Sequence, residues 1–215
     1  MKLDVKRMVL IAMLAALSYI AVLLIRIPVV LFLSYEPKDV VITIGGFLLG
    51  PMAAFACSAV VSLIEMFSIS ETGIIGCIMN LLSTCSFACI AALIYKKRHD
   101  LTGAILGLAA GSAAMIVTML LWNYLITPLY MTGTSRSDVA AMLVPVFLPF
   151  NALKAGFNSA LTLLLYKPVV TALRRIGLAE KKPSEPGGSK MGLYLFAGIL
   201  LISCILLLLV VRGLL

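Results

Sequence analysis

Apolar runs of about 18 to 25 residues recur along this chain, the length at which an α-helix crosses roughly 30 Å of hydrocarbon. Inside a bilayer the backbone must satisfy its own N–H and C=O groups, and a run of this length does so only as a helix. Of the 215 residues 62% are hydrophobic and 12% charged, far from the balance of a water-soluble domain. The strands of about ten residues, alternating apolar and polar, that build an outer-membrane barrel are absent. The expected fold is an all-α integral membrane protein.

The first span runs over residues 8 to 27. It follows Lys2, Lys6 and Arg7 and stops at Pro28. It is long for a signal peptide and lacks a small-x-small cleavage site, so it reads as a retained helix. Residues 40 to 67 are continuously apolar, about 42 Å as one helix and too long for a straight crossing. Gly50-Pro51 interrupts them, so this stretch is either one kinked span or two helices joined by a turn. Further spans are expected at 73 to 95, 102 to 126 and 149 to 172. Charge chooses between the two readings. If residues 40 to 67 cross twice, Lys2, Lys6, Arg7, Lys96, Lys97, Arg98, Lys167, Arg174, Arg175, Lys181, Lys182 and Lys190 share one side. That leaves Arg26, Lys38, Arg136, Lys154 and Arg212 of the 17 Lys and Arg elsewhere. The positive-inside rule then favours two crossings with a cytoplasmic N-terminus in the plasma membrane. Residues 1 to 175 thus form a six-helix unit, and 176 to 190 (GLAEKKPSEPGGSK with its preceding Ile) a polar Pro/Gly tether. Residues 191 to 215 carry a seventh apolar helix, whose end lies outside if it spans, and which reads as a structural or lipid-facing element.

Under this topology the polar groups near the membrane gather at the outer end. Asn151, Lys154 and Asn158 are spaced by three and four residues and share a helix face. Asn123 stands beside Trp122, Tyr124 and Tyr130. Such amides and an ammonium suit a neutral, flat heteroaromatic ligand with carbonyls and ring nitrogens on one edge. Ordinary roles stand beside that reading: Lys154 can snorkel or pair with Glu65, the asparagines can bond between helices, and the aromatics can form an interfacial belt. Ala12 and Ala16 make a small-residue stripe whose default is packing inside the bundle, as for Gly103, Gly107 and Gly111.

The basic balance forms no patch for nucleic acid, so it reads as membrane topology. Cys57, Cys77, Cys85, Cys89 and Cys204 lie in apolar segments without a CxxC pair. They read as small hydrophobes, a redox role for Cys85 and Cys89 being the lesser alternative. His99, in YKKRHD, reads as a solvated loop residue. No P-loop, HExxH or GxSxG motif is present, so neither ATP hydrolysis nor another enzymatic activity is expected of the chain itself, and no cofactor or metal is implied.

Four blocks, FLSYEPKDVVITIGGFLLGPMAAF, GIIGCIMNLLSTCSFACIAALIYKK, WNYLITPLY and LPFNALKAGFNSALTLLLYK, resemble in order and spacing the riboflavin-specific S components of energy-coupling factor (ECF) transporters. The resemblance covers residues 8 to 175. It implies a six-helix S-component bundle that captures riboflavin under the loop after the first helix. Such proteins dock on a transmembrane coupling (T) subunit and two cytoplasmic ATPase subunits, contacting the coupling subunit through an AxxxA stripe that Ala12 and Ala16 match. Asn123, Asn151 and Lys154 match the positions that hold the flavin, Tyr35 falls in the capping loop, and Asn158 and Tyr130 are further candidates. The seventh helix lies outside the resemblance. A carrier for another flat vitamin and a stand-alone carrier with Lys154 and Glu65 in a proton relay are the alternatives.

Overall fold

A computed structural model describes residues 5–31, 33–70, 72–131, 133–175 and 190–211. The expected tether falls almost wholly on residues 176–189, outside the described residues, as do Lys2, Lys181, Lys182 and Arg212.

Helix α1 (Val5–Leu24) leads into a two-stranded antiparallel hairpin, β1 (Ile27–Val30) and β2 (Leu33–Tyr35). Ile27 lies opposite Tyr35, and an irregularity between Pro28 and Val30 bends the ribbon. Pro28 lacks an N–H, which confines it to an edge or an irregular position. The hydropathy pattern does not announce this hairpin.

The long apolar stretch turns rather than kinks. Helix α2 (Lys38–Leu49) ends at Gly50, whose φ of 92° strongly favours glycine, and α3 (Pro51–Ser68) starts with its proline at the first helical position. Lys38 in the first turn of α2 pairs with Glu65 near the end of α3, so the two helices run antiparallel, as two crossings require. With 12 residues α2 is only about 18 Å long, and the β-hairpin lies beyond its N-terminus.

Helix α4 (Gly73–Arg98) continues through a π-helical turn at Cys85–Cys89. Helix α5 (Leu101–Tyr130) is opened by Asp100, whose carboxylate accepts from the Gly103 N–H. Against α4 it packs very closely: a Cβ on Gly107 would stand 2.7 Å from the Ala91 carbonyl oxygen, and one on Gly111 2.5 Å from that of Phe87. The glycine stripe is therefore internal packing, as expected.

Helix α6 starts well before residue 149. It comprises Arg136–Met142, a π-helical turn Leu143–Phe147 and Leu148–Arg175. Its start is a capping box in which the Ser135 hydroxyl accepts from the Asp138 N–H while the Asp138 carboxylate accepts from the Ser135 N–H. Pro145 sits in the π turn, where the extra residue accommodates a ring that would clash with a regular helix. Helix α7 (Lys190–Val211) packs on α6, with buried Cys204 beside Gly156. It is more than a loosely lipid-facing rod, because Cys204 joins Tyr35, Leu153 and Phe157 in one buried apolar cluster.

Among the described residues α1, α3, α4, α5 and α6 are each long and apolar enough to cross a membrane. Arg7 donates to the Leu49 carbonyl, the Tyr95 and Tyr166 hydroxyls are bonded, and Phe47 stacks on Tyr95. The start of α1, the α2–α3 turn, the end of α4 and the later part of α6 thus share one end of the bundle, with Lys6, Arg7, Lys96, Lys97, Arg98 and Lys167. We call it the basic end and its opposite the hairpin end.

Candidate functional site

At the hairpin end a cavity opens between the β-hairpin and helices α3 to α6, enclosing about 840 Å³ of empty space with its mouth included. Its wall takes Leu33, Ser34 and Glu36 from the hairpin and the residues that follow it, and Glu65 and Ile69 from the end of α3. Met79, Asn80 and Ser83 come from α4, Met119 and Asn123 from α5, and Phe150, Asn151 and Lys154 from α6. Arg26 stands at the margin.

Asn151, Lys154 and Asn158 are all buried on one face, and two of the three reach the cavity. The Asn151 amide donates to the Phe147 carbonyl at 2.7 Å. The Asn123 amide donates to the Met119 carbonyl at 2.7 Å, while its oxygen accepts from the Thr127 hydroxyl at 3.0 Å. Each carboxamide is thereby held in a fixed orientation by its own helix at the cavity wall.

Lys154 neither snorkels nor pairs with Glu65. Its ammonium lies 3.4 Å from Asp39 Oδ2 and donates to Ser83 Oγ at 3.3 Å. Asp39 is fully buried and accepts from the Thr84 hydroxyl at 2.6 Å and from the Asn158 amide at 3.0 Å. Glu65 pairs with Lys38, which also lies 3.0 Å from Glu36; Glu36 in turn meets Arg26 Nε at 3.3 Å. Arg26 donates to the Ile69 carbonyl, tying the hairpin to the end of α3. Three cations and three carboxylates therefore pair in two sets, Arg26–Glu36–Lys38–Glu65 and Lys154–Asp39; Lys38 and Asp39 stand behind the lining and the other four in it. Isolated, each would cost several kcal/mol to bury; paired, they form a rigid polar floor.

Several expected site residues lie behind the wall rather than in it. Asn158 positions Asp39. Tyr35 is buried and its ring packs on Phe157 at 5.0 Å; burial, with Asp39 nearby, pushes its phenol upward. Tyr130 is within hydrogen-bond distance of the Thr127 hydroxyl, one link from Asn123, and does not line the cavity. Trp122 and Tyr124 are also outside the wall, and the apolar cover comes from Leu33, Ile69, Met79, Met119 and Phe150. Lys38 and Asp39 escaped the sequence reading because they sit at the start of an apolar run and look like interface residues. Asn80 and Ser83 escaped it as isolated polar positions in an apolar helix.

Ala12 and Ala16 are exposed, together with Met8, Val9, Met13, Leu17 and Ile20. The stripe faces away from the bundle, so the default of internal packing does not apply to it. The five cysteines are free, and no cluster of His, Cys, Asp or Glu suited to a metal occurs among the described residues.

A multi-helix membrane bundle with a polar, charge-balanced cavity at one end has the form of a membrane-embedded binding protein. The chain belongs to the substrate-specific components of ECF transporters: the family model described as "ECF transporter, substrate-specific component" matches residues 6–166. It is 28% identical over 180 residues to the riboflavin transporter RibU of Staphylococcus aureus (strain TCH60), covering 80% of this chain and 94% of that one. It is 29% identical over 161 residues to the riboflavin transporter FmnP of Bacillus subtilis (strain 168), covering 70% and 84%. A solved structure described as "Structure and mechanism of the S component of a bacterial ECF transporter" superposes with a TM-score of 0.63 at 28% identity, over 79% of this chain and 98% of that one. The matched region leaves α7 outside it.

Proposed function

We propose that this chain captures riboflavin from outside the cell in the hairpin-end cavity and delivers it inward as the S component of an ATP-driven transporter. The observation that carries the reading is the convergence of Asn123, Asn151 and Lys154 on one cavity, in a chain of this family whose relatives are named riboflavin transporters. The carboxamides and the ammonium address the carbonyls of the isoalloxazine and the hydroxyls of the ribityl chain, and the apolar wall covers the ring faces. The hairpin caps the bound vitamin. The bundle up to Arg175 forms the binding unit, and α7 is an added helix.

The basic end faces the cytoplasm, as the distribution of Lys and Arg favours, which puts the N-terminus inside and, if α7 spans, the C-terminus outside. The chain has no P-loop, so power comes from partners: a transmembrane coupling subunit and two ATPases. Ala12 and Ala16, small and exposed on α1, supply a surface on which a partner helix can approach closely.

Uptake of labelled riboflavin in cells stripped of their own flavin transport tests this directly. Uptake is expected only when the coupling subunit and ATPases are co-expressed, and it should survive collapse of the proton gradient while ATP is held constant. Partner-free uptake that stops with the gradient would establish the stand-alone carrier instead.

A further inference from the structure

One carboxylate oxygen in the cavity wall has no assigned work. Glu65 lines the cavity and is 2% exposed. Its Oε2 accepts from the Lys38 ammonium and from the Asn80 amide at 2.9 Å, whereas its Oε1 is buried with no hydrogen-bond partner among the described residues. Six other buried side-chain atoms share that state: Tyr35 Oη, Ser58 Oγ, Ser62 Oγ, Trp122 Nε1, Asn158 Oδ1 and Thr162 Oγ1. None of those residues lines the cavity. Leaving a buried charged oxygen unsatisfied is costly, so a ligand that supplies its donor gains the difference on binding.

The geometry points to Glu65 as a ligand-binding and specificity residue whose Oε1 accepts a hydrogen bond from a neutral N–H or O–H donor of the bound molecule. The inference rests on the flavin reading above. A riboflavin molecule carries such donors in two places, the imide N–H of the ring and the hydroxyls of the ribityl chain. The other polar groups of the wall leave room for this role: Lys154 and the two asparagine amides supply donors to ligand carbonyls, and Glu65 supplies the complementary acceptor. Lys38 and Asn80 both donate to Oε2, so the carboxylate is anchored through that oxygen and Oε1 is the one left over.

The test is a Glu65→Gln variant of the full chain in detergent, titrated with riboflavin and with lumiflavin, which keeps the ring imide and lacks the ribityl hydroxyls. Lys38 and Asn80 are both donors, so the glutamine oxygen must face them and its NH2 takes the place of Oε1, setting donor against donor. Riboflavin affinity should fall about tenfold or more, the scale at which a site rejects a mismatched hydrogen-bond partner. An equal fall for lumiflavin identifies the imide N–H, and a fall for riboflavin alone identifies the ribityl hydroxyls. Unchanged affinity for both in a variant with the wild-type unfolding temperature overturns the assignment. Should the glutamine variant fail to fold, Glu65→Asp keeps the charge opposite Lys38 and withdraws the oxygen by one methylene, and the same fall is expected of it. A wild-type protein that binds neither flavin would instead overturn the flavin reading, a result distinguishable from failure of the Glu65 assignment alone.

Discussion

The hairpin-end cavity and the outer face of α1 are built on opposite principles. The cavity and the layer directly behind it hold three cations and three carboxylates in pairs that are mostly buried. The α1 face carries no charge between Arg7 and Arg26 and exposes two alanines among methionines and aliphatics. Preorganised polarity suits selection of one small molecule, because every group is oriented before binding. A smooth apolar stripe suits contact with another helix, because small side chains let backbones approach. On the proposed function, recognition and coupling fall in separate parts of one small bundle and should break separately.

The largest effect should come from the cavity floor. Replacing Lys38 by Met leaves the Glu65 carboxylate buried without its cation, and breaking a buried pair in this way costs about 3–5 kcal/mol. Denaturant unfolding in detergent should register that loss, and a variant as stable as wild type would show that the floor is not the rigid element described here. On the other face, Ala12→Trp with Ala16→Trp should leave flavin binding intact. It should weaken docking by about 3 kcal/mol or more, roughly a hundredfold, because two indoles cannot fit a close helix contact. Co-purification with the coupling subunit and uptake assays measure it; impaired binding with normal docking would reverse the comparison.

Lys154→Met probes the cavity wall itself. Riboflavin affinity should fall by about 1.5–3 kcal/mol, the range for a hydrogen bond to a charged group, with docking unchanged. The smallest effect is expected behind the wall. Tyr35→Phe removes a hydroxyl that has no hydrogen-bond partner among the described residues, so stability should change by less than about 0.5 kcal/mol and binding hardly at all. A large loss of affinity there would bring Tyr35 into contact with the ligand.

Much of this was legible in the sequence, for reasons that can be named. A 3.6-residue period places Asn151, Lys154 and Asn158 on one face whatever they contact, and Gly50-Pro51 writes a turn into an otherwise unbroken apolar run. Gly107 and Gly111 announce a close helix crossing in the same way. Partners were harder, because a pairing between distant segments leaves no local trace. Topology brings Lys154 and Glu65 to the same end, yet the ammonium faces Asp39 and Glu65 belongs to Lys38. The early start of α6 is obscured in the sequence because prolines at 145 and 149 disfavour a regular helix, and only the π turn accommodates the first; the Ser135–Asp138 capping box marks the true start. The β-hairpin is too short and too irregular to show an alternating pattern. Exposure of Ala12 and Ala16 is a property of how α1 packs, and a small-residue stripe alone does not say which side it faces.

Fluorescence titration of the purified, flavin-free chain with riboflavin addresses the central claim most directly. Saturable quenching is expected, with one site per chain and nanomolar affinity, on the order of −12 kcal/mol, and clear weakening in Lys154→Met. A linear, unsaturable response, or saturation identical in the two proteins, would contradict the assignment of this cavity as the flavin site.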